Sequence, residues 1–173
     1  MENQMYKYPS IDQFRHLIKN VTWAVKSRFD AFGQHYLDET VNLPTIKLKG
    51  TVKLHGTNAS VVYTREGDFY TQSRERIITP LDDNAGFAMY AEANKDFFIS
   101  NMEEYLDIVS KYHTLIVYGE WCGGNIQKGV GINGLPKMFV VFGIKGIWGT
   151  EKHEYDWIRE DEFHYYHYPE INC

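Results

Sequence analysis

Residues 51–60, TVKLHGTNAS, place Lys53 two positions before His55 and three before Gly56, with Asn58 close behind. Upstream, Pro44 precedes an extended stretch, and residues 46–54 alternate apolar and polar side chains as a half-buried strand does. The pattern predicts a strand that carries Lys53 and breaks at Gly56. Lys53 then has two readings: a nucleophile aimed at a phosphate, or a surface lysine before a turn. A free lysine amine has a pKa near ~10.4 and is protonated at neutral pH. A nucleophilic one needs partial burial or neighbouring cations. Gly56 would let backbone approach a phosphate closely, His55 could support a leaving group, and Asn58 could hold a water on a metal.

Outward from this stretch the chain reads as α+β, built on antiparallel sheet. Residues 60–64 and 68–72 form a predicted hairpin closed by Glu66-Gly67. Ser10 and Gln13 have capping-box form ahead of Ile11, Phe14, Leu17, Ile18, Val21 and Val25, which predicts an amphipathic helix over 10–27. Phe98, Met102, Tyr105, Leu106 and Val109 make the apolar face of a second helix. TLIVY at 114–118 reads as a buried strand, and KMFVVFGIKGIW at 137–148 as a strand or a hairpin. Residues 155–173 are polar, aromatic and His-rich, with no closing hydrophobic strand expected.

The 173 residues suffice for one domain with a real core, burying roughly 70% of the unfolded chain's surface. A net charge of −5 excludes holding nucleic acid by bulk electrostatics alone, so a polyanion needs a local basic groove. The 13 tyrosines suit either a base-binding groove or plain packing. Two cysteines, Cys122 and Cys173, make no disulfide framework and imply a reducing compartment. With no leader and no long apolar run, a cytoplasmic location is expected, in an infected host cell if the source is viral.

The motif Lys53-Leu54-His55-Gly56-Thr57-Asn58 resembles the lysine motif of covalent nucleotidyltransferases, a Lys-x-Asp-Gly pattern, in the histidine variant of the RNA ligase 2 type of T4-like bacteriophages. Arg74 falls where that family has a phosphate-binding arginine. Tyr118-Gly119-Glu120 is similar to its strand–Gly–Glu motif, whose acid binds ribose. Residues 139–142, FVVF, resemble the motif whose aromatic ring stacks on adenine, a role that falls on Phe142. The loop 123–129, GGNIQKG, also fits. The resemblance spans most of 45–148.

It implies an antiparallel-sheet nucleotidyltransferase (adenylation) domain of the ATP-grasp-like DNA/RNA ligase and mRNA capping enzyme type, apparently truncated, with 1–173 as a single partial domain. It also implies ATP and Mg²⁺ or Mn²⁺ as cofactors, and RNA 5′-phosphate and 3′-hydroxyl ends as partners. Lys53 and His55 would be catalytic, with Gly56, Asn58, Arg74, Glu120 and Phe142 holding the nucleotide and Asn58 reaching the metal through water. Val52 stands where relatives often carry an acid, so backbone there would read the base. The family's later Glu-Gly-x-Val and Lys-x-Lys motifs do not appear. A non-catalytic nucleotide- or RNA-binding remnant, or a subunit completed by a partner chain, therefore stands beside the ligase reading.

Other candidates are weaker. The glycines from Gly119 to Gly134 spell no dinucleotide fingerprint. Cys122 has no readable activating partner. His164 and His167 with Asp161 and Glu162 lack zinc-site spacing.

Overall fold

The computed structural model describes residues 3–10, 13–47, 53–150 and 154–158. Two compact units emerge, Pro9–Val52 and a larger one made of Met1–Tyr8 with Lys53–Cys173. Among the described residues no helix is long and apolar enough to cross a membrane.

The larger unit is α+β. Its strands are β3 (Gly56–Thr64), β4 (Phe69–Ser73), β5 (Ile77–Ile78), β6 (Thr114–Cys122), β7 (Met138–Ile147) and β8 (Tyr155–Ile158), with helices α2 (Phe87–Ala93) and α3 (Lys95–Ile108) between β5 and β6. The six strands form one sheet in the order β5-β4-β3-β6-β7-β8. Every neighbouring pair is antiparallel. The β3–β4 hairpin turns at Gly67, whose φ of 89° is cheap only for glycine. Its amide donates to the Thr64 carbonyl at 3.0 Å.

The period of two in each strand splits the sheet into two unlike faces. One face packs against α2 and α3. Val61, Leu115, Val117 and Trp121 from the strands meet Phe87, Phe98, Met102 and Leu106 in one buried cluster. Each such side chain contributes about 1.5–3 kcal/mol on burial. The opposite face holds Val62, Ile116, Tyr118 and Ile147, with Tyr6, Tyr8, Tyr70 and Tyr155 packed on them.

Several expectations change. Residues 46, 47, 53 and 54 are not in a strand, and Gly56 opens β3 instead of ending one. The reason is close approach: a Cβ at Gly56 would lie 2.2 Å from the Trp121 carbonyl oxygen and 2.6 Å from Cys122 Cβ. The strand starting at 114 runs on to Cys122, and 138–147 is one strand, bent by a register shift, rather than a hairpin. Residues 155–158, read as strandless, pair with β7 because Trp157 and Tyr155 pack on the aromatic face. Residues 159–173 lie outside the described residues.

The unit 9–52 has helix α1 (Phe14–Lys26) followed by a hairpin of β1 (Ser27–Phe29) and β2 (His35–Leu37). The capping box does not form. Gln13 is the N-cap, no side chain caps the helix, and the Gln13 carbonyl accepts from the His16 amide at 2.8 Å. The hairpin turn is fixed by Asp30, whose Oδ1 accepts from the amides of Phe32 and Gln34, both at 2.8 Å.

Candidate active site

Antiparallel register decides which side chains meet, because residues directly opposite share a face. Asn58 on β3 stands opposite Glu120 on β6. Glu120 in turn stands opposite Val140 on β7. On the other side, β4 ends at Ser73, opposite Ala59. Arg74 is the next residue and lies in the turn between β4 and β5, where the Ser73 amide donates to the Arg76 carbonyl at 2.8 Å. Two of the expected residues, Asn58 and Glu120, therefore belong to one row across the sheet, on the face away from the helices.

Phe142 joins them through an irregularity. The β6–β7 register shifts between Tyr118 and Gly119, which pair with Gly143 and Val141, so Phe142 is the extra residue of a bulge. The bulge keeps its ring on the face of Asn58 and Glu120, where it meets Tyr8 edge-to-face at 4.9 Å. The ring is 38% exposed, enough to offer a stacking surface.

Glu120 is half-buried, and its Oε1 accepts the Gly56 amide at 2.8 Å. That bond turns the carboxylate toward the lysine motif and leaves its second oxygen for another donor. Gly56 thus both approaches the β6 backbone closely and gives its amide to Glu120. Its carbonyl accepts from Gln127 Nε2 at 3.2 Å, which ties the glycine-rich loop to the motif. Thr57 Oγ1 accepts from Asn84 Nδ2 at 2.8 Å and anchors the same strand end on the helix side.

Lys53 and His55 sit in the irregular segment entering β3, both exposed. The partial burial expected of Lys53 is not found, since the strand that would have sheltered it begins three residues later. Among the described residues Lys53 has no hydrogen-bond or ion-pair partner. Arg74 is also exposed, with its Nε 3.6 Å from Glu75 Oε1. Glu75 is engaged by Lys7 at 2.7 Å as well, and that hydrogen bond and charge, followed by Arg74, hold its carboxyl below the usual range. Val52 lies outside the described residues, as do Asp161, Glu162, His164 and His167.

Cys122 is fully buried, opposite Gly56. Burial, then the charge of Glu120, push its thiol up, away from the thiolate that a nucleophile requires. Among the described residues no group of three or more His, Cys, Asp or Glu could hold a metal ion. Any ion at this site would rely on ligand oxygens and on contacts such as the Asn58 carboxamide.

The sequence reading missed the amino-terminal segment. Tyr6 donates its amide to Gln72 Oε1 at 3.0 Å and receives the Tyr118 hydroxyl on its carbonyl at 3.0 Å. Tyr70 donates its hydroxyl to the Gln4 carbonyl at 2.9 Å. Tyr8 packs on Tyr118, Phe142 and Trp157 at 5.2, 4.9 and 5.1 Å. This strap closes the aromatic part of the face beside the Asn58–Glu120 row. The alternation of Tyr6 and Tyr8 was the available signal, since period-two aromatics fit a segment lying extended on a sheet.

The face offers a carboxylate acceptor, a carboxamide and an exposed ring, with Lys53 in the segment that leads into β3. No curated protein matches the chain. The family model for RNA ligase, however, matches residues 47–167, from just before the lysine motif to beyond β8 and over more than half the sequence, and the chain belongs to the RNA ligase family.

Proposed function

We propose that this chain carries the nucleotidyl-transfer chemistry of an ATP-dependent RNA ligase of the RNA ligase 2 type. Lys53 Nζ attacks the α-phosphorus of ATP. The N–P bond forms as the P–O bond to pyrophosphate breaks and the amine gives up a proton, leaving lysyl-AMP. An RNA 5′-phosphate then takes the AMP and frees Lys53. A 3′-hydroxyl of RNA finally displaces AMP and seals the strand.

One observation supports this most. The register that sets Asn58 opposite Glu120, with Glu120 bonded to the Gly56 amide, gathers the row within a few residues of Lys53. Glu120's second oxygen would accept a ribose hydroxyl, and the exposed Phe142 ring would stack on the base. Arg74 would neutralise phosphate charge, which is the main protein contribution to phosphoryl transfer. His55 would assist pyrophosphate departure, and backbone at Val52 would read the adenine edge. A divalent ion, Mg²⁺ or Mn²⁺, supplies further neutralisation when bound, and the hard oxygen of Asn58 suits contact through its water. Because Lys53 is exposed, desolvation of its amine has to come from the bound nucleotide.

The experiment is incubation with α-labelled ATP and Mg²⁺. Label retained through denaturation in the native chain and absent from Lys53→Ala supports the proposal.

The exposure of Lys53 favours a second reading, a non-catalytic nucleotide- or RNA-binding remnant, or a subunit whose partner supplies the Lys-x-Lys cations. ATP binding without covalent label, unchanged in Lys53→Ala, would select the remnant. Labelling that appears only when a chain bearing those cations is added would select the subunit.

A further inference from the structure

Helix α1 has two unlike faces. Leu17, Val21, Phe14, Val25 and Ile18 gather on one side, while Arg15, Lys19, Thr22 and Lys26, spaced by three or four residues, line another. Across Phe14–Lys26 there are three cations and no acid, in a chain whose net charge is −5. Lys26 is engaged by Glu39 at 2.5 Å. Arg15 and Lys19 have no ionic partner among the described residues.

Beside the stripe stands Trp23, one helical turn after Lys19 and 54% exposed. Its ring stacks on His35 of β2 at 4.0 Å and 18°. His35 is held on the hairpin by Ser27 Oγ at 2.9 Å and abutted edge-on by Phe29 at 5.6 Å. Phe29 is 69% exposed. Near-parallel rings beside cations with no ionic partner among the described residues provide the two things a single nucleic-acid strand needs, a π-face for a base and positive charge for its phosphates.

We infer that the basic stripe of α1 and the Trp23–His35 stack form a docking surface for single-stranded RNA built from residues of the smaller unit alone. Arg15 and Lys19 contact phosphates, and a base extends the Trp23–His35 stack. RNA as the occupant follows from charge complementarity and from family membership, and does not depend on the lysyl-AMP reading. A local basic surface also resolves how an acidic chain holds a polyanion.

The test is fluorescence anisotropy of a labelled single-stranded RNA with the full chain, without ATP, at several salt concentrations. Arg15→Ala with Lys19→Ala should weaken binding about tenfold or more near 0.1 M salt. It should also flatten log affinity against log salt by ~1.4, about 0.7 per lost phosphate contact. Trp23→Ala should weaken binding roughly 5- to 150-fold with little change in that slope, the effect of one stacked base. Trp23→Phe, which keeps a ring, should recover much of the loss, and it replaces Trp23→Ala if that variant fails to fold. Lys53→Ala should bind RNA normally while losing ATP-dependent label, and the α1 variants should keep that label. Failure of labelling in the native chain would therefore sink the ligase chemistry without touching this surface. Folded α1 variants with native RNA affinity and salt slope would overturn the inference. So would capture by anionic lipid vesicles with no RNA binding, since an amphipathic basic helix can also lie on a membrane.

Discussion

The two faces of the six-stranded sheet are built from the same strands and do opposite work. The face under α2 and α3 is sealed with apolar side chains, Phe87, Phe98, Met102 and Leu106 among them. The other face is part aromatic and part polar. The tyrosine strap covers Tyr118 and Tyr70, while toward the Gly56 end of β3 Asn58 and Glu120 are half-buried and Phe142 is exposed. Stability resides mainly on the first face, where no buried side-chain polar atom of the described residues lacks a partner. Under the proposed function chemistry belongs to the second, where a carboxylate oxygen, a carboxamide and a ring stay available.

Substitutions on the two faces should separate cleanly. Phe98→Ala, which removes a nearly buried ring from the helix side, should cost about 3–5 kcal/mol by denaturant unfolding. Its folded fraction should still bind nucleotide. Glu120→Ala should do the reverse, slowing adenylylation roughly 10²- to 10³-fold with a small change in unfolding midpoint. Equal loss of stability in both variants would erase the distinction between the faces.

A finer probe addresses the strap. Tyr118 is fully buried and its hydroxyl is bonded to Tyr6. Burial, aided by the neighbouring Tyr6 and Tyr8, pushes its phenol well above the ordinary value of 10.0. The unfolded chain would ionise first, so this contribution is whole below about 10 and is lost as pH rises beyond it. Tyr118→Phe should cost about 0.5–1.5 kcal/mol near neutrality and make stability fall less steeply above pH 10. An unchanged alkaline slope in Tyr118→Phe would mean that this phenol is not the group responsible.

Much of the sheet was legible because its signals are local. Glu66-Gly67 between alternating runs gave the β3–β4 hairpin, and Tyr118-Gly119-Glu120 lay on a strand as expected. Gly56 misled, since a glycine after alternating residues reads as a turn, while its real constraint is the β6 backbone beside it. The bulge at Phe142 has no local mark, being a mismatch between two strands distant in sequence. The strap was hidden for the same reason, as its bonds to Gln72, Tyr70 and Tyr118 span 66 to 112 residues. The candidate site was visible as residue types in order. That Asn58, Glu120 and Phe142 share a face required the register, and the exposure of Lys53 required the structure.

The most direct measurement is peptide mapping of the chain after incubation with ATP and Mg²⁺. The expected result is a single acid-labile AMP adduct on the peptide containing Lys53. Adduct on another residue, or none in the RNA-ligating form of the protein, would contradict the assignment of this face to nucleotidyl transfer.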